Sequence, residues 1–264
     1  MRNLKEEQFH AWSKIPAITL LFWIMKIIAT TLGETGGDLL AQTLNVGYGL
    51  STIIFFSFFL VMVTVQLLSK KYIPPVFWAV IVATSTAGTT MSDYMDRTLG
   101  LGYAIGSLIL VSILIIVLLI WRATEKSLSV TAIKSFRGEV FYWVAILFSN
   151  TLGTALGDFL ADDSGLGFSG SALLITGVLV LVVLGYYFTK ISRVVLFWIA
   201  FVLTRPFGAT FGDLLTKSKE QGGLAYGTQG ASLILFSLLV GLIIYEVIRL
   251  KKQESKENLQ PVPR

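Results

Sequence analysis

The chain has 264 residues, of which 54% are hydrophobic and 14% are charged, and its formal net charge is +5. A soluble protein of this length carries more charge on its surface, so the composition argues against a soluble domain and favours a protein of the lipid bilayer. The absence of cysteine excludes disulfides, a thiol nucleophile and a thiolate metal site.

Eight apolar segments are long enough to cross a bilayer as helices. In chain order they cover residues 16–40, 46–68, 74–95, 100–121, 138–160, 168–189, 194–215 and 226–248. A polar segment, residues 1–13, precedes the membrane domain at 14–250, and residues 251–264 form a polar tail that we expect to be cytoplasmic and disordered. The sequence therefore predicts an all-α integral membrane protein.

One pattern occurs four times along the chain. Each copy has a tryptophan after a Phe or Tyr, a glycine ten residues later, an aspartate fifteen residues later, and then a glycine-aromatic or Ala-Tyr turn that opens a second helix. The tryptophans are Trp23, Trp78, Trp143 and Trp198, the glycines are Gly33, Gly88, Gly153 and Gly208, and the aspartates are Asp38, Asp93, Asp158 and Asp213. Four matches in register predict two-helix repeats at about 14–72, 73–125, 135–192 and 193–250.

Because each repeat contains two spans, the pattern predicts eight transmembrane helices from four repeats with the same orientation. Lysine and arginine cluster at the chain ends and in the connectors between repeats, whereas the opposite loops hold only Arg97, Lys217 and Lys219. By the positive-inside rule, we expect a multi-pass protein of the inner (plasma) membrane with both termini in the cytoplasm.

The fourfold order of Phe-Trp, Thr-x-Gly, Gly-Asp and Gly-Tyr resembles a bacterial membrane-protein family defined by a repeat of unknown function. The family's repeat is described as two transmembrane segments with a characteristic tryptophan. The resemblance covers about residues 14–250 and is weakest in the fourth copy, where Pro206 replaces the threonine. It implies an architecture and no established activity.

A polar stripe runs along the first helix of each repeat. Positions 8, 12 and 15 after the tryptophan lie within about 60° of one another on a helix. The first three copies place there Thr31, Thr35 and Asp38; Thr86, Thr90 and Asp93; and Thr151 and Asp158, with Glu34 at the edge. Carboxylates are costly in lipid, so the stripe is expected to face the bundle interior or water. The alternative is a structural role, in which the aspartates accept hydrogen bonds from a loop or cap a helical segment.

Two basic residues lie within the predicted first helices. Arg205 is expected to pair with Glu34 or an aspartate. The pair could be a structural link between repeats. Alternatively, Arg205 could be a tethered cation that competes with a transported ion, or an anchor for an anionic substrate. Lys26 is expected to extend to the cytoplasmic surface. The tryptophans are expected to anchor the helices at the interface and to pack between repeats, with an aromatic cage for an organic cation as the alternative.

These features predict a membrane transporter or channel for a cation, either a divalent metal or a cation coupled to protons. The candidate substrate-binding residues are Asp38, Asp93, Asp158, Asp213, Glu34, Thr31, Thr86, Thr151 and Arg205, and the five acids among them are the candidate metal ligands. The expected partners are the lipid bilayer and a small ion or small-molecule substrate, not nucleic acid. No cofactor is predicted apart from a divalent cation that is transported or bound. The alternative is a structural or partner-binding membrane protein without transport activity. An enzyme is not expected, because the chain has no HExxH or GxSxG motif.

Overall fold

The computed structural model describes residues 14–133 and 135–258. Within these ranges the regular elements are eight long helices and a few short helical turns, and there is no strand. The helices are α1 (Leu20–Asp38), α2 (Tyr48–Leu68), α3 (Pro74–Asp93), α4 (Tyr103–Glu125), α5 (Phe136–Asp158), α6 (Gly167–Phe188), α7 (Arg193–Thr216) and α8 (Gly227–Asn258). Each helix overlaps one of the eight predicted segments, so the all-α prediction is confirmed.

Several helix ends follow directly from local sequence. Thr19 and Ser135 cap α1 and α5 by accepting hydrogen bonds from the backbone N–H groups of Phe22 and Gly138. Gly47, with φ of 81°, precedes Tyr48 at the start of α2. This left-handed conformation is one that glycine adopts readily, which explains the glycine of the repeated turn.

Helix α8 continues beyond the predicted end of the last span. The sequence predicts a disordered tail from residue 251, whereas the helix runs to Asn258. The lysine, glutamine and glutamate residues that follow Leu250 are good helix formers, so the helix that starts in the apolar segment propagates through them. Residues 1–13 and 259–264, for which we predict a polar segment and the end of the tail, lie outside the described residues.

The first helices of the four repeats form a closed ring, in which α1 contacts α3, α3 contacts α5, α5 contacts α7, and α7 contacts α1. The glycine at position 10 of each helix faces the residue at position 7 of the next helix. These pairs are Gly33 with Ser85, Gly88 with Asn150, Gly153 with Arg205, and Gly208 with Thr30. A Cβ atom on Gly33 would lie 2.3 Å from Cβ of Ser85, which confirms the predicted close packing at these glycines. In all four contacts, position 10 of one helix meets position 7 of the next helix, so the ring helices run in the same direction.

The second helices of the repeats pack outside the ring. Each contacts mainly the first helix of the following repeat, so α2 lies on α3, α4 on α5, α6 on α7, and α8 on α1. The last contact joins the fourth repeat to the first and closes the circle. In the most apolar stretch of each outer helix only 17–22% is buried, against 72% in α5 and 50% in α7. The outer surface of the bundle is therefore largely apolar.

Six of the described helices, namely α2 and α4 to α8, are long and apolar enough to cross a membrane. Helices α1 and α3 are not among them because they are the more polar ring helices: α1 carries Lys26, Glu34 and Asp38, and α3 is rich in threonine and serine. The architecture is consistent with a membrane protein built from an internal repeat.

Candidate functional site

Side chains of the ring helices, most of them polar, lie along the axis of the ring in four layers. They occupy positions 3, 7, 11 and 15 after the tryptophan, which form one i, i+4 row on each ring helix. We name the layers after their charged members: the lysine layer (Lys26, Ile81, Ile146, Phe201), the arginine layer (Thr30, Ser85, Asn150, Arg205), the glutamate layer (Glu34, Thr89, Thr154, Ala209) and the aspartate layer (Asp38, Asp93, Asp158, Asp213). Every one of these residues is at most 4% exposed.

Hydrogen bonds between diagonally opposite helices show that the layers meet at the axis. Lys26 in α1 donates to Oδ1 of Asn150 in α5 at 3.4 Å. Arg205 in α7 donates to the backbone oxygen of Ser85 at 3.3 Å and to the hydroxyl of Thr89, both in α3. Opposite helices of a ring share such bonds only through its centre.

Arg205 is paired with Glu34, as predicted. Both terminal nitrogens of the guanidinium lie 3.1 Å from Oε2 of Glu34. The hydroxyl of Thr89 lies 3.2 Å from the same oxygen. Both charged side chains are buried, so each depends on the other for compensation.

Lys26 does not extend to the surface, and that prediction is wrong. Its side chain is fully buried, and its ammonium lies 4.2 Å from the ring centroid of Phe201. The prediction assumed that residue 26 faces outward, where its stem would follow the helix to the interface. Helix α1 instead turns this residue toward the axis, where the other ring helices enclose it.

Lys217 bridges two members of the aspartate layer. Its Nζ lies 3.0 Å from Oδ2 of Asp38 and 3.2 Å from Oδ1 of Asp213, and Gln42 donates a further hydrogen bond to Oδ1 of Asp38. Lys217 follows the end of α7, and its side chain is 18% exposed. Burial lowers the pKa of Lys217, but Asp213 and Asp38 raise it by more, so its pKa lies above the ordinary value and the side chain is a cation at neutral pH.

Arg97 bridges the other two aspartates in the same way. Its Nε lies 3.1 Å from Oδ1 of Asp93, and its Nη2 lies 3.2 Å from Oδ2 of Asp158. Like Lys217, it joins the aspartate of its own repeat to that of the next repeat. The aspartate layer therefore consists of two ion-paired halves, related by the duplication of the half-chain.

Arg97 and Lys217 are not among the site residues predicted from the sequence, because both lie in loops between the predicted spans, where basic residues indicate topology. Both lie nineteen residues after the tryptophan and four after the aspartate, so an i, i+4 ion pair was the available signal. The other two repeats hold Gln42 and Asp162 at this position.

Three of the aspartates do not cap the helical turn that follows them, whereas Lys217 and Arg97 donate to Asp38 and Asp158 as the structural alternative predicts. After Asp38, Asp93 and Asp158 the chain continues in one turn of π-helix, over Leu39–Thr43, Tyr94–Thr98 and Phe159–Asp163. Within the described structure these three side chains make no capping hydrogen bond to that turn. Single π-helical turns are frequent at functional sites.

The threonines predicted beside the aspartates do not face the axis. The hydroxyls of Thr31, Thr86 and Thr151 each donate to a carbonyl oxygen of their own helix one turn earlier. Thr35, on the same side of α1, accepts a hydrogen bond from Ser232 of α8 at 2.8 Å. The row that faces the axis has positions 7 and 11, where the predicted stripe has positions 8 and 12. This shift by one residue corresponds to a rotation of about 100° around the helix. Periodicity shows which residues share a face but not which neighbour that face meets.

Three acids come close together at the Lys217 half of the layer. Carboxylate oxygens of Glu34, Asp38 and Asp213 lie within 4.8 Å of one another. Nearby, Nε of Arg205 and Oγ1 of Thr154 are buried without a hydrogen-bond partner among the described residues. Buried polar atoms normally have partners, and water or an ion commonly serves where protein does not. The three carboxylates are suited to a hard cation such as Mg²⁺, Mn²⁺ or Ca²⁺.

Aromatic side chains close the opposite end of the ring. In three of the four contacts, the residue before a tryptophan packs on the tryptophan of the next repeat, with centroid distances of 5.8, 5.6 and 5.7 Å for Phe22–Trp78, Phe77–Trp143 and Phe197–Trp23. In the fourth, Trp121 lies against both Tyr142 and Trp198. The predicted packing of the tryptophans between repeats is confirmed. We call this the tryptophan end, and the end with Arg97 and Lys217 the aspartate end.

The comparisons with known proteins agree with the repeat structure. Residues 21–72, 76–127, 141–192 and 196–251 each match the family described as Repeat of Unknown Function (DUF347). Searches of curated proteins and of solved structures gave no match. The four matched stretches cover most of the chain and coincide with the four two-helix units of the ring. The chain therefore belongs to the DUF347 repeat family.

Proposed function

We propose that this protein is an integral membrane transporter for cations, with the axis of the helix ring as its pathway. The observation that carries the proposal is the column of buried ionisable side chains on the axis of a bundle whose outer surface is apolar. In a membrane protein, buried charges of this kind mark ion pathways and proton relays.

All eight helices span the bilayer in this proposal. Helices α1 and α3 are parallel to α5 and α7 in the ring, and their polar side chains face the axis while the outer helices shield them from lipid. Because lysine and arginine cluster in the connectors between repeats, the proposal assigns the tryptophan end and both termini to the cytoplasm by the positive-inside rule. The aspartate end then faces the outside.

The charges of the column favour a cation over an anion. It contains five acids, Glu34 and the four aspartates, and four bases, Lys26, Arg97, Arg205 and Lys217. With all groups ionised, one negative charge is in excess, which a proton or metal ion would balance. The carboxylate oxygens supply the hard ligands that such ions prefer.

The two ends of the ring differ, which supports a transporter over an open channel. At the aspartate end, the side chains of Lys217 and Arg97 are 18% and 34% exposed, so water reaches the cations that pair with the buried acids. At the tryptophan end, Trp78 and Phe77 are fully buried in the aromatic layer. Access from one side at a time is the requirement for transport by alternating access.

The ion pairs also favour a second candidate, a membrane scaffold without transport. The Lys217, Arg97 and Arg205 pairs each join different repeats, so they stabilise the ring whether or not an ion passes. This candidate explains the closed ring and the ion-paired acids, but it does not explain why three carboxylates are clustered or why Lys26 is buried.

Flux into liposomes separates the two candidates. Purified protein would be tested with Na⁺, K⁺, Mg²⁺ and Mn²⁺ and with a pH-sensitive dye for protons, as wild type, Glu34→Gln and Glu246→Gln. Glu246 is a matched control because it lies in α8 outside the ring and accepts hydrogen bonds from Tyr72 and Trp78. We expect wild-type flux of at least one cation, a reduction of about tenfold or more in Glu34→Gln, and little change in Glu246→Gln. Folded protein with no flux above empty liposomes would reject transport in favour of the scaffold.

A further inference from the structure

Lys217 lies between a polar cavity and the clustered acids. A cavity of about 530 Å³ at the aspartate end is lined by Gln42, Thr216, Lys217, Gln221 and Tyr226, among others. Gln42 and Lys217 also contact Asp38 directly. Lys217 therefore both lines this cavity and contacts the Asp38 carboxylate.

We propose that Lys217 is a tethered competitor for the transported ion, and that a divalent metal cation binds Glu34, Asp38 and Asp213 by displacing its ammonium into this cavity. The inference rests on the proposed transport function and names the ion class and the place where it binds. It also assigns the two ion-paired halves of the aspartate layer different roles.

The geometry of the three acids fits a shared ion. Two oxygens that bind one Ca²⁺ at about 2.3–2.6 Å are at most about 5 Å apart, and the three carboxylates meet that limit at 4.8 Å. Oδ1 of Asp213 is buried, and the Lys217 ammonium lies 3.2 Å from it. That ammonium already occupies the position of a cation between Asp213 and Asp38.

The charge of this group matches a divalent ion. Glu34, Asp38 and Asp213 carry three negative charges, and Arg205 neutralises one of them through its pair with Glu34. When Lys217 withdraws, two negative charges are left. An ammonium on a four-carbon stem is a compact, mobile point charge, which suits reversible displacement.

The Arg97 half lacks these properties. Arg97 uses two different nitrogens of a planar guanidinium to contact Asp93 and Asp158, which holds it in one geometry. The residue equivalent to Glu34 in that half is Thr154, which supplies no third carboxylate. We assign this half to stabilising the ring.

Binding of Mn²⁺ alone to purified protein in nanodiscs tests the inference, with free Mn²⁺ measured by electron paramagnetic resonance. We compare wild type, Lys217→Gln and the matched control Arg97→Gln. Loss of the competitor should increase Mn²⁺ affinity about tenfold or more in Lys217→Gln, with no such gain in Arg97→Gln. Adding Glu34→Gln to Lys217→Gln should abolish the gain. Lys217→Arg, which keeps the charge and the ion pairs, should show no gain and serves if Lys217→Gln does not fold.

The outcomes distinguish this inference from the transport proposal. Four results would overturn the inference, even where wild-type flux is present. Lys217→Gln could bind Mn²⁺ with the same affinity as wild type, or Arg97→Gln could show an equal gain. Lys217→Arg could gain affinity, or no variant could show saturable binding. A gain confined to Lys217→Gln that requires Glu34 supports the inference, and absence of flux in the same preparation would then reject transport alone.

Discussion

Arg205 and Glu34 depend on each other because both are charged and both are buried on the ring axis. Taking two charges out of water is expensive, and their attraction offsets that free energy only while both partners are present. Glu34 also belongs to the acid cluster beside Lys217, so its carboxylate takes part both in the pair with Arg205 and in the proposed ion site. The pair is the point at which stability and function overlap.

We predict that Arg205→Met destabilises the protein by about 3–5 kcal/mol, because it leaves the Glu34 carboxylate buried without its partner. The midpoint of unfolding in detergent, followed by circular dichroism, measures the effect. The double variant Glu34→Gln with Arg205→Met should recover most of the loss, because no charge is then left unpaired. Equal stability of Arg205→Met and wild type would show that Glu34 does not need this partner.

At the residue scale, the sequence predicted the acids and the Glu34–Arg205 pair but not the complete site. The acids stand out because carboxylates in apolar segments need an explanation. Lys26 was assigned to the surface, since its sequence position does not tell which side of α1 faces the axis. Arg97 and Lys217 were missed as partners because the helical turn that folds them back onto the aspartates is visible only in three dimensions.

At the scale of the helices, glycines determine how closely the ring helices approach one another. A Cβ on Gly33 would lie 2.3 Å from Cβ and 2.9 Å from the carbonyl carbon of Ser85, so the backbone of one helix would have to move. Glycines on the outer helices differ, since a Cβ on Gly241 meets no atom within 4 Å in the described part of the chain. The two kinds of glycine therefore have different roles.

We expect Gly33→Ala to destabilise the fold by about 1–3 kcal/mol through overpacking of the α1–α3 contact. Gly241→Ala is the matched control: it should be neutral or stabilising by up to about 1 kcal/mol, because alanine favours a helix and has free space there. Thermal unfolding of both variants in the same detergent measures the difference. A Gly33→Ala variant as stable as Gly241→Ala would contradict the close packing of the ring.

The long helices were predictable as elements because apolar length and turn residues determine them locally. The ends of these helices were less predictable. The single π-helical turns after Asp38, Asp93 and Asp158 have no sequence signal that we recognise, and α8 continues past residue 251 because its polar residues are themselves good helix formers. The order of packing, with each outer helix on the next repeat, depends on contacts between distant segments.

At the scale of the whole molecule, the ring is closed by contacts between the ends of the chain. Helix α8 packs on α1, and the hydroxyls of Thr43 and Thr228 lie 2.7 Å apart at the aspartate end. Four same-orientation repeats are predictable from sequence, since an even number of helices returns the chain to its starting side. Closure of the ring is not predictable from sequence, because an open row of the same repeats would have the same sequence pattern.

A disulfide tests the closure, and the chain has no native cysteine to interfere. Thr43→Cys with Thr228→Cys should cross-link under mild oxidation, because the two side chains are in contact. Thr43→Cys with Thr124→Cys, at the far end of α4, is the control that should not cross-link. The cross-link should change the mobility of the denatured protein, and reductant should reverse it. If the cysteines at positions 43 and 228 stay reduced while the control pair cross-links, the repeats form an open arrangement.

The most direct test of a cation pathway through this ring is liposome flux with the four single variants Asp38→Asn, Asp93→Asn, Asp158→Asn and Asp213→Asn, each checked for folding. We predict that Asp38→Asn and Asp213→Asn reduce flux about tenfold or more, whereas Asp93→Asn and Asp158→Asn reduce it much less. Folded Asp38→Asn and Asp213→Asn proteins that carry the ion as fast as wild type would contradict the account.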